Sequence, residues 1–362
     1  MNDDISRRGF AKLVGTGAAV AAMPWALTRA AEAGRLEAKT KPILGSWISI
    51  LRSECRHHHY WNDVCAKFSR EQWESLVKEA ADIGMQYLVL LGTVDVGQKA
   101  FFDTPLAPKA KDLACENPIE AMLSAADQCG VKFFISTGFY GGWLNDKTMA
   151  DATIAKVRFT LMAQLAEKYA HHRSFYGWYL PDETGLNPYF SNEFIEWVNR
   201  CGREGRRLTP GSKILIAPYG ANIAVGDDKY AKQLERLDAD IIAYQDEVGQ
   251  RRMTAQQSAR AFEKLRRAHD KVPQRALWAD VEVFDWDGPL NSPDGALIPA
   301  PFARIKQQLE AVSPFVDVIT IYQYQGLLSR PGGKAHCGHP GAAKLYVDYV
   351  NWLKSEYPEL VK

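Results

Sequence analysis

Cysteine is scarce in this sequence, with six among 362 residues. So few thiols in so long a chain exclude a disulfide scaffold, in which dense cross-links replace a small core. Cys55 and Cys65, which flank a short loop, are the one pair that spacing suggests. An excess of one charge sign is also missing. A formal net charge of +1 gives no electrostatic pull toward nucleic acid or an anionic membrane surface. No GxGxxG run follows the first β-rich segment, which removes the dinucleotide fingerprint. No GxSxG marks a nucleophile elbow, and no CxxC or HExxH sets metal ligands at a working spacing. Without any cofactor fingerprint, no cofactor is expected. No Ser/Gly/Pro-rich linker or composition shift divides the chain after its first thirty-odd residues.

Those first residues read separately from the rest. Ser6-Arg7-Arg8-Gly9-Phe10-Ala11-Lys12 precedes a small-residue apolar run from Leu13 to Leu27, then Ala31-Glu32-Ala33 as a small-x-small cleavage site. This pattern resembles a twin-arginine export signal. A membrane anchor is the other reading. It fits less well, because Gly15, Gly17 and Pro24 interrupt a run already short of the ~20 residues that span a bilayer. The expected division is a signal peptide over residues 1–33 and a mature domain over 34–362, periplasmic or secreted and not held at the membrane after cleavage. The leader carries Arg7, Arg8, Lys12 and Arg29 against Asp3, Asp4 and Glu32, so its loss leaves a neutral chain. Neutral partners follow. Ten tryptophans supply flat faces on which sugar rings stack, although filling a large core accounts for most of them.

From Gly34 onward, short β-rich apolar runs alternate with longer amphipathic ones. The strand expectations are 43–50, 87–94, 131–140, 175–180, 213–219, 241–245, 276–284 and 316–324, with helices expected at 70–83, 118–129, 147–171, 191–207, 227–237, 254–269, 301–312 and 341–354. Ser69 and Ser191 stand as caps before two of the helices. Eight β/α repeats predict an α/β fold, one (β/α)8 barrel. A doubly wound sheet is the alternative, and it lacks its glycine fingerprint. Long loops after strands one, two, seven and eight, set against short turns into the strands, put a cleft at the C-terminal face.

At that face stand Trp47, Thr93, Asp95, Tyr140, Trp143, Asp182, Glu183, Tyr219, Gln245, Asp246, Glu247, Glu282, Trp286, Tyr322, Gln323 and Tyr324. Phe175–Glu183, FYGWYLPDE, is a buried strand broken by Pro181 that presents two acids at its tip. In Trp278-Ala279-Asp280-Val281-Glu282-Val283-Phe284, alternation places Asp280, Glu282 and Phe284 on one face. A charge there is costly unless it is paired or functional.

An acid ending strand four and a glutamate ending strand seven resemble the clan of (β/α)8 retaining glycoside hydrolases. More narrowly, GWYLPDE with Tyr244-Gln245-Asp246-Glu247-Val248-Gly249 resembles exported bacterial glycosidase-like barrels labelled as a domain of unknown function. The resemblance implies a carbohydrate substrate, Glu183 as acid/base and Glu282 as nucleophile. Where the clan has Asn, this chain has Asp182. An Asp-Glu pair at that tip is similar to substrate-assisted hexosaminidases, in which the aspartate orients an acetamido group. Asp246 or Glu247 is a further candidate for the second acid. A non-catalytic sugar-binding barrel, keeping the rings Trp47, Trp143, Tyr219, Trp286 and Tyr322, is the reading from another class. His57, His58 and His59 with Cys55, and His336, Cys337 and His339, read as polar loop residues of the cleft; a zinc site would require the two loops to meet.

Overall fold

The computed structural model describes residues 39–362 apart from 53–55, 96–98, 140–144, 291 and 293. The leader, Tyr140, Trp143 and Cys55 lie outside the described residues. Eight parallel strands close a barrel: β1 (Ile43–Ile48), β2 (Tyr87–Leu90), β3 (Lys132–Ser136), β4 (Phe175–Leu180), β5 (Lys213–Ile216), β6 (Ile241–Gln245), β7 (Ala276–Glu282) and β8 (Val318–Tyr322). Closure runs through β1, which pairs with β8 at Ser46↔Ile321 and with β2 at Ser46↔Leu88. All eight strand expectations hold, and six of them end earlier than expected, where the chain turns into loop.

The helices are α1 (Asn62–Ala66), α2 (Arg70–Ala81), α3 (Pro118–Cys129), α4 (Asp146–Met149), α5 (Ala152–Tyr169), α6 (Asn192–Leu208), α7 (Asp228–Arg236), α8 (Ala255–His269), α9 (Phe302–Val312) and α10 (Gly341–Glu356). Local chemistry explains their starts. Ser69 and Thr254 each form a capping box with the glutamine three residues on, and Asn117 caps α3 ahead of Pro118. The stretch expected as one helix at 147–171 is two, because Asp151 caps a new start by accepting from Thr153 and Ile154 N–H.

Two apolar layers hold the barrel. Side chains pointing inward (Trp47, Val89, Phe134, Tyr179, Leu215, Ala243, Trp278) fill its bore, while the alternate set (Ile48, Trp178, Leu180, Ile214, Leu277, Val281) packs under the helices. Gly177 is fixed by crowding: a Cβ there would meet the Lys213 carbonyl oxygen of β5 at 2.1 Å. Hairpins fold within two of the long loops, Val94–Asp95 against Lys99–Ala100 and Phe284–Asp287 against Ala296–Pro299. The second hairpin leans over the C-terminal end of β7.

Candidate active site

A pocket of about 190 Å3 opens at the C-terminal end of the barrel. Strand tips build its inner part, with Trp47 from β1, Gln245 from β6, Asp280 and Glu282 from β7, Tyr322 from β8, and Tyr179 from β4 with Glu183 just beyond it. Loops finish the mouth: Arg52 and His57 after β1, Gln250 after β6, and Phe284, Trp286 and Leu297 from the hairpin.

Glu183 is half-buried and turned into this space. Desolvation raises its carboxyl to about 7, against the pull of the Arg52 guanidinium and a hydrogen bond from Gln245. Across the pocket, Glu282 is buried and held at several points. Its Oε2 accepts from Gln250 N–H at 2.7 Å, its own N–H donates to Asp246 Oδ1 at 3.0 Å, and its carbonyl accepts from Arg304 and Gln308 of α9. Burial and the nearby Asp246 carboxylate hold the Glu282 carboxyl well above the usual range. Trp286 Nε1 donates to the Gly249 carbonyl at 3.2 Å, which ties the hairpin to the loop that carries Gln250.

Tyr322 of β8 reaches the pocket beside Glu282, its partner in the ladder. Its hydroxyl is hydrogen-bonded to His58 Nε2 at 2.7 Å, and His58 Nδ1 lies 3.1 Å from Ser49 Oγ. His58 is fully buried, which pushes its pKa well below the ordinary value and leaves the ring neutral between Ser49 and Tyr322. The ring of His57 stands edge-on to Trp286 with centroids 5.1 Å apart.

Residues 43–335 match the model of a family described as Domain of unknown function (DUF4434). The chain belongs to that family. No curated protein matches it. Among solved structures it is similar to a candidate alpha-L-fucosidase from Bacteroides thetaiotaomicron, with a TM-score of 0.66 at 15% identity over 86% of this chain and 93% of the other. A GH5_18 protein from Streptomyces cattleya in complex with GlcNAc gives 0.53 at 16% identity, with coverages of 88% and 82%. A family 5 glycoside hydrolase from Bacteroides vulgatus gives 0.51 at 12%, with coverages of 87% and 66%. At such identities the likeness is one of fold.

Within this DUF4434 barrel, Trp47, Glu183, Gln245, Glu282, Trp286 and Tyr322 converge on the pocket. Six others of the expected site residues stand elsewhere. Asp182 points outward and is buried between helices: Arg158 of α5 donates to both its oxygens at 2.9 and 3.0 Å, and Trp197 Nε1 of α6 adds a third bond at 2.8 Å. Asp246 lies behind β7, its oxygens taken by the Glu282 and Val248 N–H groups and by Gln308 Nε2. Glu247, at a positive φ of 52°, accepts from Asn222 N–H and from Arg252. Gln323 is buried and donates to the Gln325 carbonyl. Tyr219 is exposed, its ring over Gly185 and beneath Arg252. Asp95 is buried in its hairpin and does not line the pocket either.

Asp280, Gln250 and Arg52 line the pocket beyond the expected site residues, and His57 joins them from the histidine-rich loop after β1. For Asp280 the signal was present, since it shares the inward parity of Glu282. The thiols also sort differently from expectation. Cys65 packs against Cys337, Sγ to Sγ 3.9 Å, and both are free, whereas Cys55 falls outside the described residues. Of the remaining loop histidines, His336 Nδ1 is hydrogen-bonded to the Arg330 carbonyl and His339 Nδ1 accepts from Gly341 N–H. Among the described residues, the His, Cys, Asp and Glu atoms close enough to share an ion belong to Glu120, His171 and His172, none of which lines the pocket. His172 already bridges Asp127 and Glu120 through its two ring nitrogens.

Proposed function

We propose that this protein is a glycoside hydrolase acting on a neutral glycan or glycoconjugate, with Glu183 as acid/base and Glu282 as nucleophile. The observation that carries the reading is the convergence of these two glutamates on one small aromatic-lined pocket, with Glu183 raised to about 7. Breaking a glycosidic bond means protonating a poor leaving group while positive charge develops at the anomeric carbon, and that work needs a proton-bearing carboxyl facing a carboxylate. A carboxyl that titrates near 7 is about half protonated at neutral pH and can give up and regain its proton in each cycle. Glu282 attacks as the carboxylate; burial and Asp246 favour its protonated form, and the Gln250 N–H on its Oε2 is the contact that pulls the other way, so attack requires that its proton leave before the bond breaks. The fold likeness to glycoside hydrolases of several kinds is consistent with this chemistry. Asp182 is committed to Arg158 and Trp197, so substrate assistance through it draws no support from the geometry.

A panel of aryl glycosides with leaving groups of graded acidity tests the assignment. Glu183→Gln loses turnover steeply on poor leaving groups and far less on activated ones, because only the former need the proton. Glu282→Gln loses both alike. A variant of either glutamate that retains wild-type turnover on every substrate overturns the reading. The anomer released first, read by NMR, decides whether Glu282 attacks the sugar directly.

A further inference from the structure

Asp280 is a carboxyl of the pocket that the proposed chemistry leaves unused. Its side chain is 4% exposed, lines the pocket, and has no hydrogen-bond partner for Oδ1 among the described residues. It stands two residues before Glu282 on the same face of β7, which sets it about 7 Å deeper along the strand. Beneath it on that face is Trp278, part of the apolar filling of the bore. Asp280 therefore forms the polar floor of the pocket, flanked in the ladder by Gln245 of β6 and Thr320 of β8. A buried carboxyl oxygen without a donor is costly, and a fold that keeps one has a use for it.

Resting on the carbohydrate reading above, we propose that Asp280 is a specificity residue: it binds a hydroxyl on the side of the sugar ring remote from the scissile bond, so that the enzyme removes single residues from the non-reducing end of a glycan. Three observations meet in this assignment. The pocket, at about 190 Å3, lies below the ~300–1,000 Å3 usual for drug-sized ligands and suits one ring rather than a stretch of chain. Its floor is closed by Asp280 over the filled bore, so a ring that presents its anomeric carbon to Glu183 and Glu282 has its far hydroxyls directed downward. Burial, together with Asp246 and Glu183, holds the Asp280 carboxyl well above the usual range, so the protonated group both donates and accepts, as a hydroxyl does. An ammonium group in the same place would call for an ionised partner.

The test pairs substrate deletions with a side-chain deletion. Wild type and Asp280→Ala are assayed on 4-nitrophenyl glycosides of glucose, galactose, mannose, fucose and N-acetylglucosamine and on their monodeoxy analogues. For the wild type, removing the contacted hydroxyl lowers kcat/KM by roughly 10²-fold or more, as expected of a site built to hydrogen-bond it. In Asp280→Ala that penalty collapses toward one while the other deoxy positions keep theirs, and Asp280→Asn recovers part of it. Equal losses on parent and all deoxy substrates, or no loss at all, overturn the assignment. On a reducing-end-labelled oligosaccharide the wild type releases monosaccharide stepwise; internal fragments overturn the end-directed mode. If no glycoside is cleaved, binding of the free monosaccharides is measured by calorimetry on the wild type and Asp280→Ala. Binding that depends on Asp280 keeps the floor assignment while the hydrolase reading falls, and absence of any binding overturns both.

Discussion

Asp182 follows β4 and Asp280 lies near the end of β7 in the same barrel, and they are hidden to the same degree, 3% and 4% exposed. Their surroundings differ completely. Asp182 receives three hydrogen bonds from Arg158 and Trp197, and Arg158 in turn donates to Thr137 Oγ1, so the carboxylate is a knot that ties α5 and α6 to the tip of β4. Asp280 faces the open side of the wall and receives nothing from the protein on Oδ1. Burial alone therefore separates neither structure from function. What separates them is whether the protein itself satisfies the buried group.

The strongest way to break the contrast is to remove the partner that only Asp182 has. Arg158→Leu leaves a buried carboxylate uncompensated and destabilises the fold by about 3–5 kcal/mol, read by urea unfolding. A loss below about 1 kcal/mol would show that the pair is not the anchor its geometry indicates. Replacing both partners, Asp182→Leu with Arg158→Leu, costs less than the single change, since no charge is then stranded.

Next in size is the pH response of the pocket. With Glu183 at about 7, kcat/KM falls roughly tenfold for each pH unit above that value as the acid loses its proton. A profile flat to pH 9 would assign the proton to another group. Stability moves in the same direction. Glu183, Asp280 and Glu282 are all raised above their unfolded values, so the folded state holds more protons than the unfolded chain above the ordinary carboxyl range, in the case of Glu183 up to about 7. That contribution is complete below the unfolded carboxyl range and is lost as pH rises through the folded values.

Asp280→Asn sharpens the comparison from the other side. An amide has no charge to desolvate, so the variant unfolds at higher urea than the wild type at pH 8, and the gain shrinks as pH falls toward 4.5. A stability loss at pH 8 would mean that Asp280 has a structural partner like that of Asp182. The smallest effect belongs to Tyr219. Exposed at 37% and outside the pocket, Tyr219→Ala shifts stability by no more than about 0.5 kcal/mol and leaves KM for a single-residue substrate unchanged. A large rise in KM would place the ring in contact with substrate after all.

Much of the site is legible in the strand alternation, which also separates Asp182, Asp246 and Gln323 from the pocket, whereas Tyr219 and Glu247 have inward parity and stand outside it because the strands end before them. In β4, Tyr179 and Glu183 share inward parity while Leu180 and Asp182 share the outward one. In β6, Gln245 is in phase with Ala243 and lines the pocket, whereas Asp246 is out of phase and ends behind β7. The same rule gives Tyr322 to the pocket and Gln323 to the outer layer. Reading a strand tip as a cluster of polar residues merges the two faces; reading it with period two separates them. Arg52, His57 and Gln250 carried no such signal, because they lie on loops whose path depends on the elements beneath them.

What the sequence determined by itself is the part that depends on neighbours a few residues away: eight strands and their order, the helix starts set by Ser69, Asn117 and Thr254, and the strand tips that gather the acids. These follow from short-range periodicity and capping, which act before any distant contact forms. Only the tertiary structure decided which acids are satisfied. Arg158 reaches Asp182 across 24 residues, Gln308 reaches Asp246 across 62, and nothing reaches Asp280 Oδ1 among the described residues. The energy of a buried charge is set by the groups around it in space, and those exist only once the barrel has closed and its helices have packed.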